Sequence, residues 1–216
     1  MLNQSKGNMY GFVTHTFNVI KGKCFHDCSY CYMKRFKQNP LHMEEKEFKT
    51  DLGSANFIFV GSSVDMFAKD VPDAWISRVL EFCTKFDNKY LFQSKDPERM
   101  FKFFQEFPKD TLWATTVESN RPVPGCNAPI PAERVSLKKF PFSRRMVTIE
   151  PVMDFDTDEL VKIVREISPE WVNIGADSNA RKTLPEPSKE KLLDLIAKLS
   201  EFTTIKNKNN LSRLLK

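Results

Sequence analysis

Glycine is scarce in this chain, with 7 residues against 13 prolines. That shortage excludes the flexible glycine-rich linkers that separate mobile modules. No apolar run approaches the roughly 20 residues needed to cross a bilayer. The first seven residues are polar, and the apolar residues after them are too interrupted for the core of a secretory leader. A cytoplasmic protein with no membrane partner is therefore expected. Cysteine is also rare, at 5, and histidine rarer, at 3. In a reducing compartment such thiols point to metal or catalysis before disulfides. The composition is otherwise 41% hydrophobic and 28% charged over 216 residues, enough for one domain, 1–216, with a substantial core. The net charge of +5 is compatible with a polyanionic partner, but a lysine-rich surface gives the same figure.

Short apolar runs alternate with helix-period segments. Strands are expected at His15–Ile20, Asn56–Gly61, Tyr90–Gln93, Leu112–Val117, Met146–Ile149 and Trp171–Gly175, where runs such as "FIFVG" and "WVNIG" are β-branched, aromatic and too short for helices. Apolar residues spaced i, i+3, i+4, i+7 predict helices through Ile76–Cys83, Met100–Phe107, Leu160–Ile167 and Leu192–Leu199. Asp96 before Pro97, Asp156 or Thr157, and Ser188 supply the start signals. This alternation predicts an α/β fold of βαβ units with a parallel sheet. About 36 residues per unit suits a partial, six-unit TIM-like barrel, and an open doubly wound sheet fits the pattern nearly as well. Either way ligands meet the C-terminal ends of the strands. The residues just past the apolar runs there are nearly all polar.

The thiols are not evenly spread. "KGKCFHDCSYCYMKRF", residues 21–36, places Cys24, Cys28 and Cys31 within eight positions. Structural zinc wants four ligands, usually as two separated pairs. His26 lies inside the loop, and nothing local brings His15 or His42 into range. A four-iron cube held by three cysteines leaves one iron open to an outside ligand. A three-cysteine metal module without turnover is the competing reading from another class.

CxxxCxxC with an aromatic, Tyr30, before its third cysteine, in the loop after a first strand, resembles the radical S-adenosylmethionine (radical SAM) superfamily. The blocks "IFVGSSVDMFAKDVPDAWI", "FQSKDPERM", "ATTVESNR", "TIEPVMDFD" and "VNIGADS" extend the likeness from about residue 14 to 206. They resemble a compact phage- and archaeal-type group similar to spore photoproduct lyase. The resemblance implies a partial (β/α)6 barrel and a 4Fe-4S cluster on Cys24, Cys28 and Cys31. It implies reductive cleavage of S-adenosyl-L-methionine to a 5′-deoxyadenosyl radical that abstracts hydrogen from a substrate. An external one-electron reductant of flavodoxin or ferredoxin type is implied by the same likeness. By position Tyr30 lies against the adenine, and Ser62, Ser63 and Asp65 near the methionine amino group. Lys95 meets the carboxylate, Thr116 and Glu118 face the ribose, and Ala176 meets the adenine edge. In this chain Gly61-Ser62-Ser63 replaces a glycine-glycine-glutamate block. The substrate implied is a nucleic acid or nucleotide, repaired or modified; a peptide or small metabolite is the alternative.

Glu150, set directly after "MVTI" and before Pro151, is expected to point into the barrel mouth. Asp65, Asp154 and Asp156 are weaker candidates, since Asp156 serves equally well as a helix cap, and Asp177 and Ser178 also read as the start of a turn. Cys83 falls on a helix stripe and reads as core. Cys126, in the proline-flanked "RPVPGCNAPIP", reads first as an ordinary loop thiol; the resemblance to spore photoproduct lyase makes it a candidate hydrogen-atom donor as well. The basic stretch of about 206–216 (Lys206, Lys208, Arg213, Lys216) reads as a solvated helix end and C-terminal tail.

Overall fold

The computed structural model describes residues 1–178 and 184–216. Among the described residues ten strands are formed: β1 (Asn3–Gln4), β2 (His15–Phe17), β3 (Ile20–Lys21), β4 (His42–Met43), β5 (Phe57–Val60), β6 (Lys89–Gln93), β7 (Thr111–Thr116), β8 (Arg145–Ile149), β9 (Trp171–Ile174) and β10 (Thr204–Asn207). The helices are α1 (Asp73–Thr84), α2 (Pro97–Phe101), α3 (Thr157–Ile167) and α4 (Lys189–Ser200). Strand order in the main sheet is β1-β2-β5-β6-β7-β8-β9-β10. All neighbours from β2 onward are parallel, and β1 adds one antiparallel edge. The order rises without reversal, so the sheet winds one way, as a barrel does. A doubly wound sheet would reverse at a switch point. This is the expected α/β, TIM-like partial barrel, with a seventh parallel strand, β10.

Side-chain alternation divides the core in two. Ile58, Val60, Tyr90, Phe92, Val147, Ile149, Val172 and Ile174 pack outward with the stripes of α1, α3 and α4. The opposite face carries Phe59, Leu91, Leu112, Ala114 and Met146, and the N-terminal residues Tyr10 and Val13 pack among them. A sheet buried on both faces reads as near-continuous apolar runs, as these strands do. The segment around Tyr10 thus plugs the barrel, with Phe12 stacked on Tyr10 and edge-on to Trp171. The plug fills the N-terminal end of the strands, leaving space at the other end.

Three expectations are corrected. The stripe from Met100 to Phe107 is not one helix: α2 ends at Phe101, and a 3-10 turn spans Phe104–Glu106. Phe107 is extended because Pro108 comes after it. Asp156 occupies the N-cap position of α3 without capping it; its carboxylate takes Arg121 at 2.6 Å and Asn120 at 3.1 Å instead. Asp96 and Ser188 do cap α2 and α4. Residues 206–216 are not a free tail. Lys206 lies in β10 with its ammonium 4.0 Å from the Trp171 ring centroid, Leu211 is fully buried, and Arg213 pairs with Glu186.

Between β2 and β5 the chain makes the small β3–β4 hairpin, and Gly22 turns it toward the cysteines at φ +104°. A Cβ there would sit 2.3 Å from the Pro40 carbonyl oxygen, a backbone atom that cannot step aside. Gly22→Ala is expected to cost about 2–3 kcal/mol in a denaturant melt. Gly11→Ala, where nothing lies within 4 Å of the new methyl, should stay within about 1 kcal/mol of wild type.

Candidate active site

The cysteine loop is wound by successive short turns. Asp27 N–H donates to the Cys24 carbonyl, Cys31 N–H to that of Cys28, and Lys34 N–H to that of Cys31, at 3.2, 3.0 and 3.1 Å. Asp27 takes φ +43°, a left-handed value that aspartate tolerates better than most residues. All three thiols are free and line one cavity of about 720 Å³ at the C-terminal ends of the strands. The same wall holds Tyr30, Ser62, Ser63, Asp65, Lys95, Thr116, Glu150 and Ala176, residues drawn from six loops and strand ends. Among the described residues no three His, Cys, Asp or Glu side chains are grouped to hold a single metal ion.

Two carboxylates fix this wall. Asp65 accepts from His26 Nε2 at 2.9 Å, Ser94 Oγ at 3.0 Å, and the backbone N–H groups of Lys95 at 2.8 Å and Phe67 at 3.0 Å. Burial pushes its pKa up, but the facing His26 ring and these donors outweigh that and hold it at about 2. Glu118 is fully buried. It accepts from the Tyr30 hydroxyl, from Arg134 Nη1 at 2.6 Å, and lies 3.7 Å from Lys95 Nζ. Burial again acts upward, and Arg134 and Lys95 outweigh it, holding Glu118 at about 2. Lys95 responds in kind. Burial alone would lower its pKa, yet Glu118 and Cys28 raise it, so the ammonium stays charged at the cavity wall. Glu118 itself does not line the cavity: the resemblance points it at a ribose, whereas its carboxylate stands behind Tyr30 and is occupied by three partners.

The thiols differ in their surroundings. Burial, then Asp65, pushes Cys24 up to about 12. The Sγ of Cys28 lies 2.9 Å from that of Cys126. A hydrogen bond from the Cys126 thiol, helped by Lys95, overcomes burial and brings Cys28 down to about 6, while Cys126 is pushed up. Cys126 packs against Cys28, Tyr30 and Met153 and is not part of the cavity wall. Its loop is tied to the cysteine loop by Asn127 N–H to the His26 carbonyl at 2.7 Å and Ser29 Oγ to the Pro124 carbonyl at 2.9 Å.

Glu150 marks the other pole. Lys208 Nζ donates to it at 2.6 Å and Asn8 Nδ2 at 2.8 Å. Gly175 leaves the room, since a Cβ there would meet the Glu150 carboxyl at 2.9 Å. Lys208, read from sequence as part of a solvated helix end, instead lines the cavity. Between the poles Tyr10 donates to Gln93 at 2.8 Å, and Gln93 to Thr116 at 3.0 Å. Asn18 holds Ser62 Oγ at 3.1 Å and accepts from Ser63 N–H at 3.1 Å. Asp177 and Ser178 line the cavity. Asp154 and Asp156 do not, and both pair with Arg121. Sequence reasoning missed Asn8, Tyr10, Asn18, Gln93, Arg134 and Lys208. Gln93 closes the expected strand Tyr90–Gln93, so its strand-end position was a usable signal; Asn18 fell inside the expected strand His15–Ile20, and the others carried no such mark.

The donor set fits an iron–sulfur cluster: three reduced sulfurs on one loop, one already acidic, facing a cavity whose wall carries a cation to balance anionic ligands. A family model described as "Protein of unknown function (DUF5131)" matches residues 9–193. No curated protein gives a significant match. Among solved structures, spore photoproduct lyase complexed with dinucleoside spore photoproduct aligns at 10% identity and TM-score 0.63, over 92% of this chain and 78% of that one. A cysteine-to-serine variant of spore photoproduct lyase aligns at 11% and 0.61, over 94% and 79%. A double variant with bound AdoMet and dinucleoside spore photoproduct aligns at 10% and 0.58, over 91% and 64%. The likeness in sequence to this group is thus matched by a likeness in fold.

Removing Arg134 strands a buried carboxylate. Arg134→Met is expected to cost about 3–5 kcal/mol at neutral pH. The Glu118 pKa is depressed in the fold, from 4.5 to about 2, so its stabilisation is complete above pH 4.5 and disappears as pH falls toward 2. That contribution is on the order of 3 kcal/mol. Urea melts between pH 7 and 2 should show the gap between variant and wild type closing below pH 4.5.

Proposed function

This chain belongs to the family described as protein of unknown function DUF5131, and we propose that it is a radical SAM enzyme carrying a 4Fe-4S cluster on Cys24, Cys28 and Cys31. The observation that carries this reading is the convergence of three free thiols from one eight-residue stretch on the cavity at the strand ends. When bound, the cluster and S-adenosyl-L-methionine supply one-electron cleavage of a sulfonium and hydrogen abstraction from the substrate.

Every other task falls to the chain. Lys95 offers a charged ammonium to the carboxylate of the methionine moiety, kept protonated by Glu118. Ser62 and Ser63, positioned by Asn18, offer hydroxyl and carbonyl oxygens to the amino group. Asp65 lines that side too, although its acceptor sites serve the loop itself. The Tyr30 hydroxyl is committed to Glu118, which leaves its ring for an adenine. Thr116 presents a hydroxyl to the ribose, and Ala176 lines the wall for the adenine edge. Glu118 acts from behind by holding Tyr30 and Lys95. Glu150, clamped by Lys208 and Asn8, is the carboxylate placed to orient a substrate. Cys126, in contact with Cys28 and not part of the cavity wall, supports a cluster ligand. Reduction requires an outside one-electron donor of flavodoxin or ferredoxin type.

The substrate is proposed to be a nucleic acid or nucleotide. A structural neighbour is complexed with a dinucleoside photoproduct, and the chain carries net charge +5. Among the described residues no helix is long and apolar enough to cross a membrane.

Anaerobic reconstitution should give a brown protein with about four irons per chain. With dithionite and S-adenosyl-L-methionine it should release 5′-deoxyadenosine, and Cys28→Ala should abolish that release. A colourless protein with one zinc and no cleavage would end the enzyme reading.

A further inference from the structure

The mouth of the cavity is edged by the residues immediately after the third cysteine. Lys34, Arg35, Phe36 and Lys37 are all exposed, with Phe36 at 56% and Tyr32 at 42%. Lys34 and Arg35 belong to the cavity wall, as do Lys23 and Lys6. A single carboxylate, Asp27, serves this group, pairing with Lys34 at 2.8 Å and Lys23 at 3.4 Å. Among the described residues no ion pair engages Lys6, Arg35 or Lys37. Two of these five cations share one anion, and the other three have no ion-pair partner among the described residues. The rings are set among them: Arg35 lies 5.8 Å from the Phe36 ring centroid, and the Tyr32 hydroxyl is anchored on the Ser62 carbonyl at 3.0 Å.

Cations interleaved with exposed rings are what a nucleic-acid strand needs, phosphates meeting the charges and unstacked bases meeting the rings. A duplex shows no base faces to stack, and a paired base cannot enter a cavity sunk among the strand ends without leaving its stack. An acidic peptide would satisfy the cations but leave Tyr32 and Phe36 without a partner. We propose that Lys6 and residues 32–37 dock single-stranded nucleic acid, with phosphates on Lys34, Arg35 and Lys37 and a base on Phe36. The neighbouring nucleotide is then delivered into the cavity. Only that delivery rests on the radical-enzyme reading; the docking does not.

The test is fluorescence anisotropy of a labelled 12-nucleotide oligo-dT with anaerobically reconstituted protein. Affinity should fall steeply with added salt, since cation–phosphate contacts release counterions. Arg35→Glu with Lys37→Glu should weaken binding at least about tenfold at moderate salt. Phe36→Ala, which leaves charge unchanged, should weaken it about tenfold and leave the salt slope as it was. Lys162→Glu with Lys189→Glu, on α3 and α4, makes the same change in net charge and should leave binding intact. Circular dichroism and iron content confirm that each variant is folded and loaded. Equal loss in both double variants, unchanged binding in Phe36→Ala, or a polyglutamate or phosphatidylserine vesicle competing as well as the oligonucleotide would each overturn the docking proposal. If the oligonucleotide fails to bind while deoxyadenosine is still released, docking alone falls. If binding persists without any cleavage, the radical reading falls instead.

Discussion

One nearly buried carboxylate, Asp65, holds the candidate site in register. Its four donors come from the cysteine loop through His26, from its own strand-end turn through Phe67, and from the residues after β6 through Ser94 and Lys95. A carboxylate withdrawn from water is expensive unless every lone pair finds a donor. The three segments therefore assume one joint arrangement or lose the whole set. Cys24 and Cys28 flank His26 in sequence, so fixing that ring fixes where two of the three sulfurs emerge. Glu118 repeats the device from behind, pinning Tyr30 and Lys95 with the help of Arg134.

The pairing has an electrostatic consequence for the cavity. Both carboxylates stay ionised against burial, and Glu118, followed by Cys28 and then Asp65, raises the Lys95 pKa that burial alone would lower. The thiol wall thus acquires a fixed positive charge without an exposed counter-ion, a useful property for receiving anionic groups. The opposite pole is built differently. Glu150 is flanked by Lys208, directly after β10, and by Asn8 from the N-terminal plug, so segments near both ends of the described chain meet over one carboxylate. The plug excludes space at the bottom of the barrel and contributes chemistry at the top.

Much of the fold is legible in the sequence. Strands form at all six expected apolar runs, because a parallel sheet covered on both faces leaves a dense hydrophobic signature, but the first, expected at His15–Ile20, ends at Phe17, and Ile20 opens β3 in a separate sheet. α1, α3 and α4 form where the i, i+3, i+4, i+7 stripes fall. β10 leaves no such mark because "TIKN" is short and largely exposed, lying at the sheet edge where burial writes little into sequence. The second stripe overstates its helix: the backbone leaves the α-helix at Phe101, forms a 3-10 turn at Phe104–Glu106 and is extended at Phe107 before Pro108, while the apolar periodicity runs on.

The sequence alone determined the spacing CxxxCxxC, the polar loops after each strand and the alternation that makes a singly wound barrel possible, since all three are local properties of neighbouring residues. Only the tertiary structure decided which charges face one another. Lys208 reaches Glu150 across 58 positions and Asn8 reaches it across 142, while Arg134 looks like any arginine in a loop until it is buried against Glu118. Such pairings depend on strand order and on which face each residue turns inward. Those are set by the closing of the whole sheet, and no local pattern records them.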